Sequence, residues 1–195
     1  MATLIIEATR VVVNYQIVQD YPILVANLLP TRWTPLITGV YKANVECAVF
    51  RDQSTASMSV LLWDDKRYVV GALSQQIYAP LGPLKAEAKA MEAAIIFARD
   101  IGIQDVIFKG DSLQVCSAMN GCSLTPHAIA NVLECIFLHL QFFCSFIFSH
   151  IKREGNKPAY LLSQHAKFVQ DFETWVEETP KFLEAVIASD VAVCT

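Results

Sequence analysis

Near residue 80 the hydrophobic period of this 195-residue chain changes from two to between three and four. Such a switch separates pleated strands from helices. Upstream, residues 41–51 (YKANVECAVFR) put Ala43, Val45, Cys47 and Val49 on one face and Lys42, Asn44 and Glu46 on the other. Residues 57–63 are apolar and rich in strand formers, Asp64-Asp65-Lys66 is a polar turn, and residues 67–77 return as a third strand. Connections this short make the three runs antiparallel neighbours. Downstream, Leu84, Ala88, Met91, Ile95 and Ala98 form one helical stripe, with Pro83 suited to the first helical position and Gly102 to the stop.

The remainder alternates. Residues 105–108 read as a short buried strand, and Asp111-Ser112 opens a helix over 112–119. A helix over 127–141, a fifth strand over 144–151 and a final helix over 157–169 follow. The order β-β-β-α-β-α-α-β-α predicts an α/β fold. Its mixed five-stranded sheet opens as an antiparallel three-strand meander, continues with parallel strands and carries helices on its faces. Residues 1–38 read as a leader with a short helix over 7–19 and a proline-rich loop, 39–170 as the domain, and 171–195 as a C-terminal extension.

Composition narrows the partners. Hydrophobic residues make up 54% of the chain and charged residues 17%, enough apolar material for one packed domain. The formal net charge of −4 lacks the basic signature of a stand-alone nucleic-acid binder, so a local patch or a metal bridge has to supply that attraction. None of the six cysteines forms a C-x-x-C pair or a zinc-finger spacing, and they read as reduced thiols. Residues 132–151 are long and apolar enough for a membrane span but contain Glu134, His139, Gln141 and His150. A buried helix followed by a strand is the better reading, so no membrane is expected. Glu7 interrupts any secretory signal, which makes an intracellular place, nuclear or cytoplasmic, the default.

Three acids stand out by position. Glu46 lies mid-strand, Glu87 in the first turn of the long helix, and Asp111 directly after the fourth strand. If the first and fourth strands are neighbours, the three converge. Converged carboxylates repel unless a cation sits among them, and oxygen ligands select Mg²⁺ or Mn²⁺. Taken singly, each acid has a plainer explanation: a helix-start stabiliser for Glu87, an N-cap for Asp111, a solvent-facing strand residue for Glu46. The helix starts are expected to keep Glu87 and Asp111 ionised.

Five segments in order resemble the ribonuclease-H-like (type 1) domains of plant genomes, related to the ribonuclease H of non-LTR retroelement reverse transcriptases. Trp33-Thr34-Pro35 with Lys42-Ala43-Asn44-Val45-Glu46-Cys47-Ala48 is similar to W-x-P…K-x-N-x-D-G-A. Pro83-Leu84-Lys85-Ala86-Glu87-Ala88 is similar to S-P-L-x-A-E-A, and residues 108–112 to a strand ending in S-D-S. His150-Ile151-Lys152-Arg153-Glu154-Gly155-Asn156 is similar to H-V-x-R-E-x-N, and residues 172–180 to W-x-E-E-x-P. The resemblance implies RNA cleavage in an RNA–DNA hybrid by two divalent metals, Mg²⁺ or Mn²⁺, about 4 Å apart. It places the four metal carboxylates at positions 46, 87, 111 and 160. It offers Asn44, Ser112, His150, Arg153 and Asn156 as substrate contacts.

The chain departs from that pattern around the site. Position 46 is Glu for Asp, position 47 Cys for Gly, position 110 Gly for Ser, and Tyr160 stands where the fourth carboxylate belongs. A neutral phenol is a poor Mg²⁺ ligand at pH 7. Glu154 and Glu173 are the candidates to compensate. Three readings stay open: a weakened hybrid endoribonuclease, a catalytically inactive pseudoenzyme kept as a nucleic-acid or protein interaction module, and a retroelement relic.

Overall fold

A computed structural model describes residues 36–50, 54–78 and 80–192. The expected leader helix at 7–19 and the Trp33-Thr34-Pro35 motif lie outside the described residues. β1 (Tyr41–Phe50), β2 (Thr55–Trp63) and β3 (Val69–Ile77) form the antiparallel meander, in which Glu46 faces Ser59 and Ser59 faces Ser74. α1 (Pro83–Asp100) crosses to β4 (Asp105–Gly110), which pairs parallel with β1, Val45 beside Gly110. α2 (Leu113–Met119) and α3 (Ala130–Leu140) lead to β5 (Ser145–His150), parallel to β4. α4 (Lys157–His165) follows, then β6 (Phe172–Val176) and α5 (Glu184–Ala192). The strand order is β5-β4-β1-β2-β3-β6.

The sheet therefore has six strands rather than the five expected. β6 comes from the C-terminal extension and pairs antiparallel with β3. The sequence signal missed it because an edge strand needs only one paired side: Phe172 and Val176 are exposed and the run shows no buried alternation. The expected helices at 127–141 and 157–169 each combine a shorter α-helix with a 3₁₀ turn, at His127–Ile129 and Ala166–Phe168. The apolar stretch 132–151 is divided between α3 and β5, and among the described residues no helix is long and apolar enough to cross a membrane.

α1 lies on the sheet face carrying Ala43, Val45 and Cys47 of β1 and Met58, Val60 and Leu62 of β2. Its buried contacts are largely alanines, at 86, 88, 90, 94 and 98, which let the helix come close. Gly110 belongs to this close approach, since a Cβ there would meet Met91 Cε at 3.2 Å. Beneath α3, Phe108 stacks on Phe148 with centroids 5.5 Å apart and meets Phe143 edge-on. Each such fully buried apolar side chain contributes roughly 1.5–3 kcal/mol relative to exposure.

The opposite face is covered by α4, and this decides the environment of the acids. Ser59 Oγ donates to the Ala159 carbonyl at 2.7 Å, and Ser74 Oγ to the Leu162 carbonyl at 3.1 Å. Small hydroxyls in the middle of apolar strands thus seat the helix backbone against the sheet. Residues Lys42, Asn44 and Glu46, the polar side of β1, are buried rather than facing water.

Candidate functional site

Register brings two of the three acids together. Gly110 pairs with Val45, so Asp111 emerges one residue on, beside Glu46. Glu46 is 0% exposed, which excludes the solvent-facing reading. Alternation puts Cys47 on the α1 face, where its thiol is hydrogen-bonded to Glu87. Glu87 repels Asp111 and Glu46, so the three carboxyls share one electrostatic neighbourhood.

The ionisation expected of Glu87 is corrected. No acidic residue lies in the first turn of α1, because Pro83 begins the helix and Glu87 falls in its second turn. The helix-end field fades within one turn. Burial first, then repulsion from Asp111, pushes the Glu87 carboxyl up to about 8. The same causes push Glu46 up to about 7, against the pull of Arg153 and Asn156. Burial also drives the Cys47 thiol well above its ordinary value, so it stays protonated as a donor. Asp111 is not the N-cap of α2; Ser112 is, its Oγ accepting from the Val115 N–H at 3.4 Å.

Four of the five residues offered as substrate contacts, Asn44, His150, Arg153 and Asn156, make hydrogen bonds within the site. Asn156 is fully buried. Its Nδ2 donates to the Val45 carbonyl at 2.9 Å and to Glu46 Oε2 at 3.0 Å, and its Oδ1 accepts from Asn44 Nδ2 at 2.7 Å. His150 Nε2 lies 3.1 Å from the Asp111 carbonyl oxygen, a pure acceptor, so Nε2 carries the proton and fixes the backbone of Asp111. Arg153 donates through Nη2 and Nε to Asp111 Oδ2 at 2.9 and 3.2 Å, and its Nη2 stands 3.5 Å from Glu46 Oε1. Sequence reasoning missed this inward role of Arg153, because its basic neighbours Lys152 and Lys157 are exposed, as a solvated turn would be.

Tyr160 follows Ala159, the residue seated on Ser59 next to Glu46, and is 37% exposed. It brings no carboxylate to this place. Glu173 does not compensate. It is tied to His165 at 3.0 Å and lies in register with Ser74, three strands from Glu46, about 14 Å at ordinary strand spacing. Glu154 is exposed.

Two buried oxygens, Glu46 Oε1 and Asp111 Oδ1, have no hydrogen-bond partner. Orphaned carboxylate oxygens beside a third acid are the donor chemistry of one hard, oxygen-preferring cation. With a phenol at the fourth position, the set fits one such ion better than two. As placed, no three His, Cys, Asp or Glu side chains among the described residues form a ready-made metal cluster. The Arg153 guanidinium holds the Glu46–Asp111 side instead.

Residues 44–166, well over half of the chain, match the reverse transcriptase-like family. The chain belongs to that family. This reverse transcriptase-like domain is folded as a ribonuclease-H-like domain. It is similar to ribonuclease H1 of the archaeon Halobacterium salinarum, with a TM-score of 0.62 and 22% identity over 66% of this chain and 98% of that one. It is similar also to the N-terminal ribonuclease H domain of a Mycobacterium tuberculosis protein, with a TM-score of 0.59 and 17% identity over 65% and 92% of the two chains. A third likeness is to a compost metagenome ribonuclease H1 solved with an RNA/DNA hybrid, with a TM-score of 0.54 and 18% identity over 65% and 94%. Identities this low speak to the fold. No curated protein sequence matches the chain.

The raised carboxyls carry a pH prediction. Between pH 4.5 and their folded values of about 7 and 8, Glu46 and Glu87 bind protons in the folded chain that the unfolded chain releases. Their contribution to stability is complete below the unfolded value, falls as pH rises and is gone above about pH 8. In a metal chelator the melting temperature should therefore drop from pH 5 to pH 8.5. Glu87→Gln should remove part of that drop, stabilising the protein at pH 8.5 by on the order of 2 kcal/mol. Equal slopes for the two proteins would contradict the raised Glu87 carboxyl.

Proposed function

We propose that this domain binds RNA–DNA hybrids and cleaves the RNA strand weakly, using Glu46, Glu87 and Asp111 to hold a single divalent cation, Mg²⁺ or Mn²⁺. The observation that carries the reading is that two buried carboxylate oxygens, on β1 and at the end of β4, lack a hydrogen-bond partner within the electrostatic reach of a third acid on α1. The hybrid complex solved for a similar fold supports the substrate class. The motifs shared with plant retroelement domains support the same lineage.

The cation, when bound, supplies Lewis-acid activation of water and stabilises charge on the cleaved phosphate. The protein's part lies in positioning. Asn156 orients Glu46 through Oε2 and leaves Oε1 free of hydrogen bonds. His150 fixes the turn that presents Asp111. The Cys47 thiol, at a position where the resemblance has glycine, holds Glu87 through a hydrogen bond. Tyr160 withholds the fourth carboxylate, so charge neutralisation for a second cation is lost.

The test is incubation of the full chain with labelled RNA–DNA hybrid in Mg²⁺ or Mn²⁺. Slow cleavage is expected, and Glu87→Gln should reduce it by on the order of 100-fold. Tyr160→Asp combined with Glu46→Asp should raise it. Cleavage indifferent to Glu87→Gln would place the activity elsewhere. The departures at positions 47 and 160 favour a second reading, an inactive hybrid-binding module. In that case hybrid binding weakens with salt while no variant cleaves.

A further inference from the structure

The two buried acids of the site already have a cation of their own. Glu46 is fully buried and the Asp111 side chain is 11% exposed, yet the Arg153 side chain that pairs with both is 61% exposed. The arginine reaches in from a short 3₁₀ turn, Arg153–Asn156, and caps the pair from the solvent side. Its two bonds both go to Asp111 Oδ2, and its approach to Glu46 Oε1 is the longer 3.5 Å. Asp111 Oδ1 receives nothing, and Glu46 Oε1 receives charge without a hydrogen bond. One guanidinium thus neutralises part of the site and leaves the rest of its demand unmet.

We propose that Arg153 is a resident counter-cation of the Glu46–Asp111 pair, and that a divalent cation enters by displacing its guanidinium. The inference rests on reading Glu46, Glu87 and Asp111 as a cation site. It accounts for acids that sense one another strongly and yet do not stand as a metal cluster, because the guanidinium takes the place and spaces the carboxylates. Two cations beside the same oxygens repel, so occupancy is exclusive. The arginine is replaced rather than simply lost. Most of its surface is already in water, so it can swing outward without unpacking the domain, and the buried acids it leaves are not stranded because the divalent ion takes its place. The ligand class is a hard divalent ion, selected by an all-oxygen donor set. Its affinity is lowered by the work of removing the arginine.

Mn²⁺ alone is the probe. Binding to the 195-residue chain is followed by loss of the free Mn²⁺ electron paramagnetic resonance signal, and melting temperatures are recorded in chelator and in Mn²⁺. Arg153→Gln should bind Mn²⁺ about tenfold more tightly than the parent, a difference of about 1.4 kcal/mol. It should also melt lower in chelator and gain more from Mn²⁺. Arg153→Lys, which keeps a positive charge, should stay close to the parent. Affinity unchanged or weakened in Arg153→Gln overturns the displacement while leaving the cation site in place. Mn²⁺ binding that is insensitive to Glu87→Gln in both backgrounds, or absent from every variant, overturns the cation site itself.

Discussion

Asn156→Ala should cost the domain about 3–5 kcal/mol, summed from the buried groups it abandons. The wild-type side chain is fully buried and makes three hydrogen bonds with three residues of β1: Asn44, Val45 and Glu46. Truncation removes the acceptor of the Asn44 amide and a donor to Glu46 Oε2 in a place water does not reach. Each such loss carries the desolvation cost of the group, about 1–3 kcal/mol and more for a charge. The midpoint of urea unfolding measures the effect. Asn156→Asp separates hydrogen bonding from charge. It keeps an acceptor for Asn44 but sets a second carboxylate against Glu46, so it should be more damaging at pH 8 than at pH 5. A loss below about 1 kcal/mol for Asn156→Ala would show that the hub is dispensable.

Ending the chain at Gln170 should unfold the domain or remove most of its stability, which for a chain of this kind is about 5–15 kcal/mol in total. The segment beyond supplies β6, which pairs with β3, and Leu183, which is fully buried. Leu183 closes a second apolar cluster with Leu61, Trp63, Val69, Ala72 and Leu162, and Trp175 and Ile187 lie against it. Without them the outer edge of β3 and this cluster meet water together. Leu183→Ala isolates the core part and should cost about 2–5 kcal/mol through lost burial and the cavity left behind. Soluble yield and urea unfolding report both variants. A shortened chain with the parent's midpoint would show that the extension is peripheral.

Local chemistry is what a sequence states most directly, and most of the architecture is local. The alternation in YKANVECAVFR, the Asp64-Asp65-Lys66 turn, the stripe on α1 and the Ser112 cap each depend on near neighbours. The parallel crossovers follow from their order. The convergence of Glu46 and Asp111 was legible too, since it requires only that β1 and β4 be adjacent.

Whether a side chain lies in water depends on what arrives from elsewhere in the chain. Lys42, Asn44 and Glu46 read as a polar strand face, and only the seating of α4 on Ser59 and Ser74 makes that face an interior. Burial then turns Glu46 and Glu87 from ordinary acids into groups that hold protons near neutral pH. The bonds from Arg153 to Asp111 span 42 residues and the three bonds of Asn156 span 110 to 112, beyond any local pattern. The sixth strand had no periodic signal because neither of its faces is well buried. The sequence by itself determined the first five strands, the helices among them, their order and the acids at positions 46, 87 and 111, because period, turn chemistry and residue type act over a few residues. The tertiary structure alone decided the protonation of Glu46 and Glu87 and the guanidinium beside Glu46 and Asp111, because dielectric and charge are set by groups that meet only when the sheet is covered.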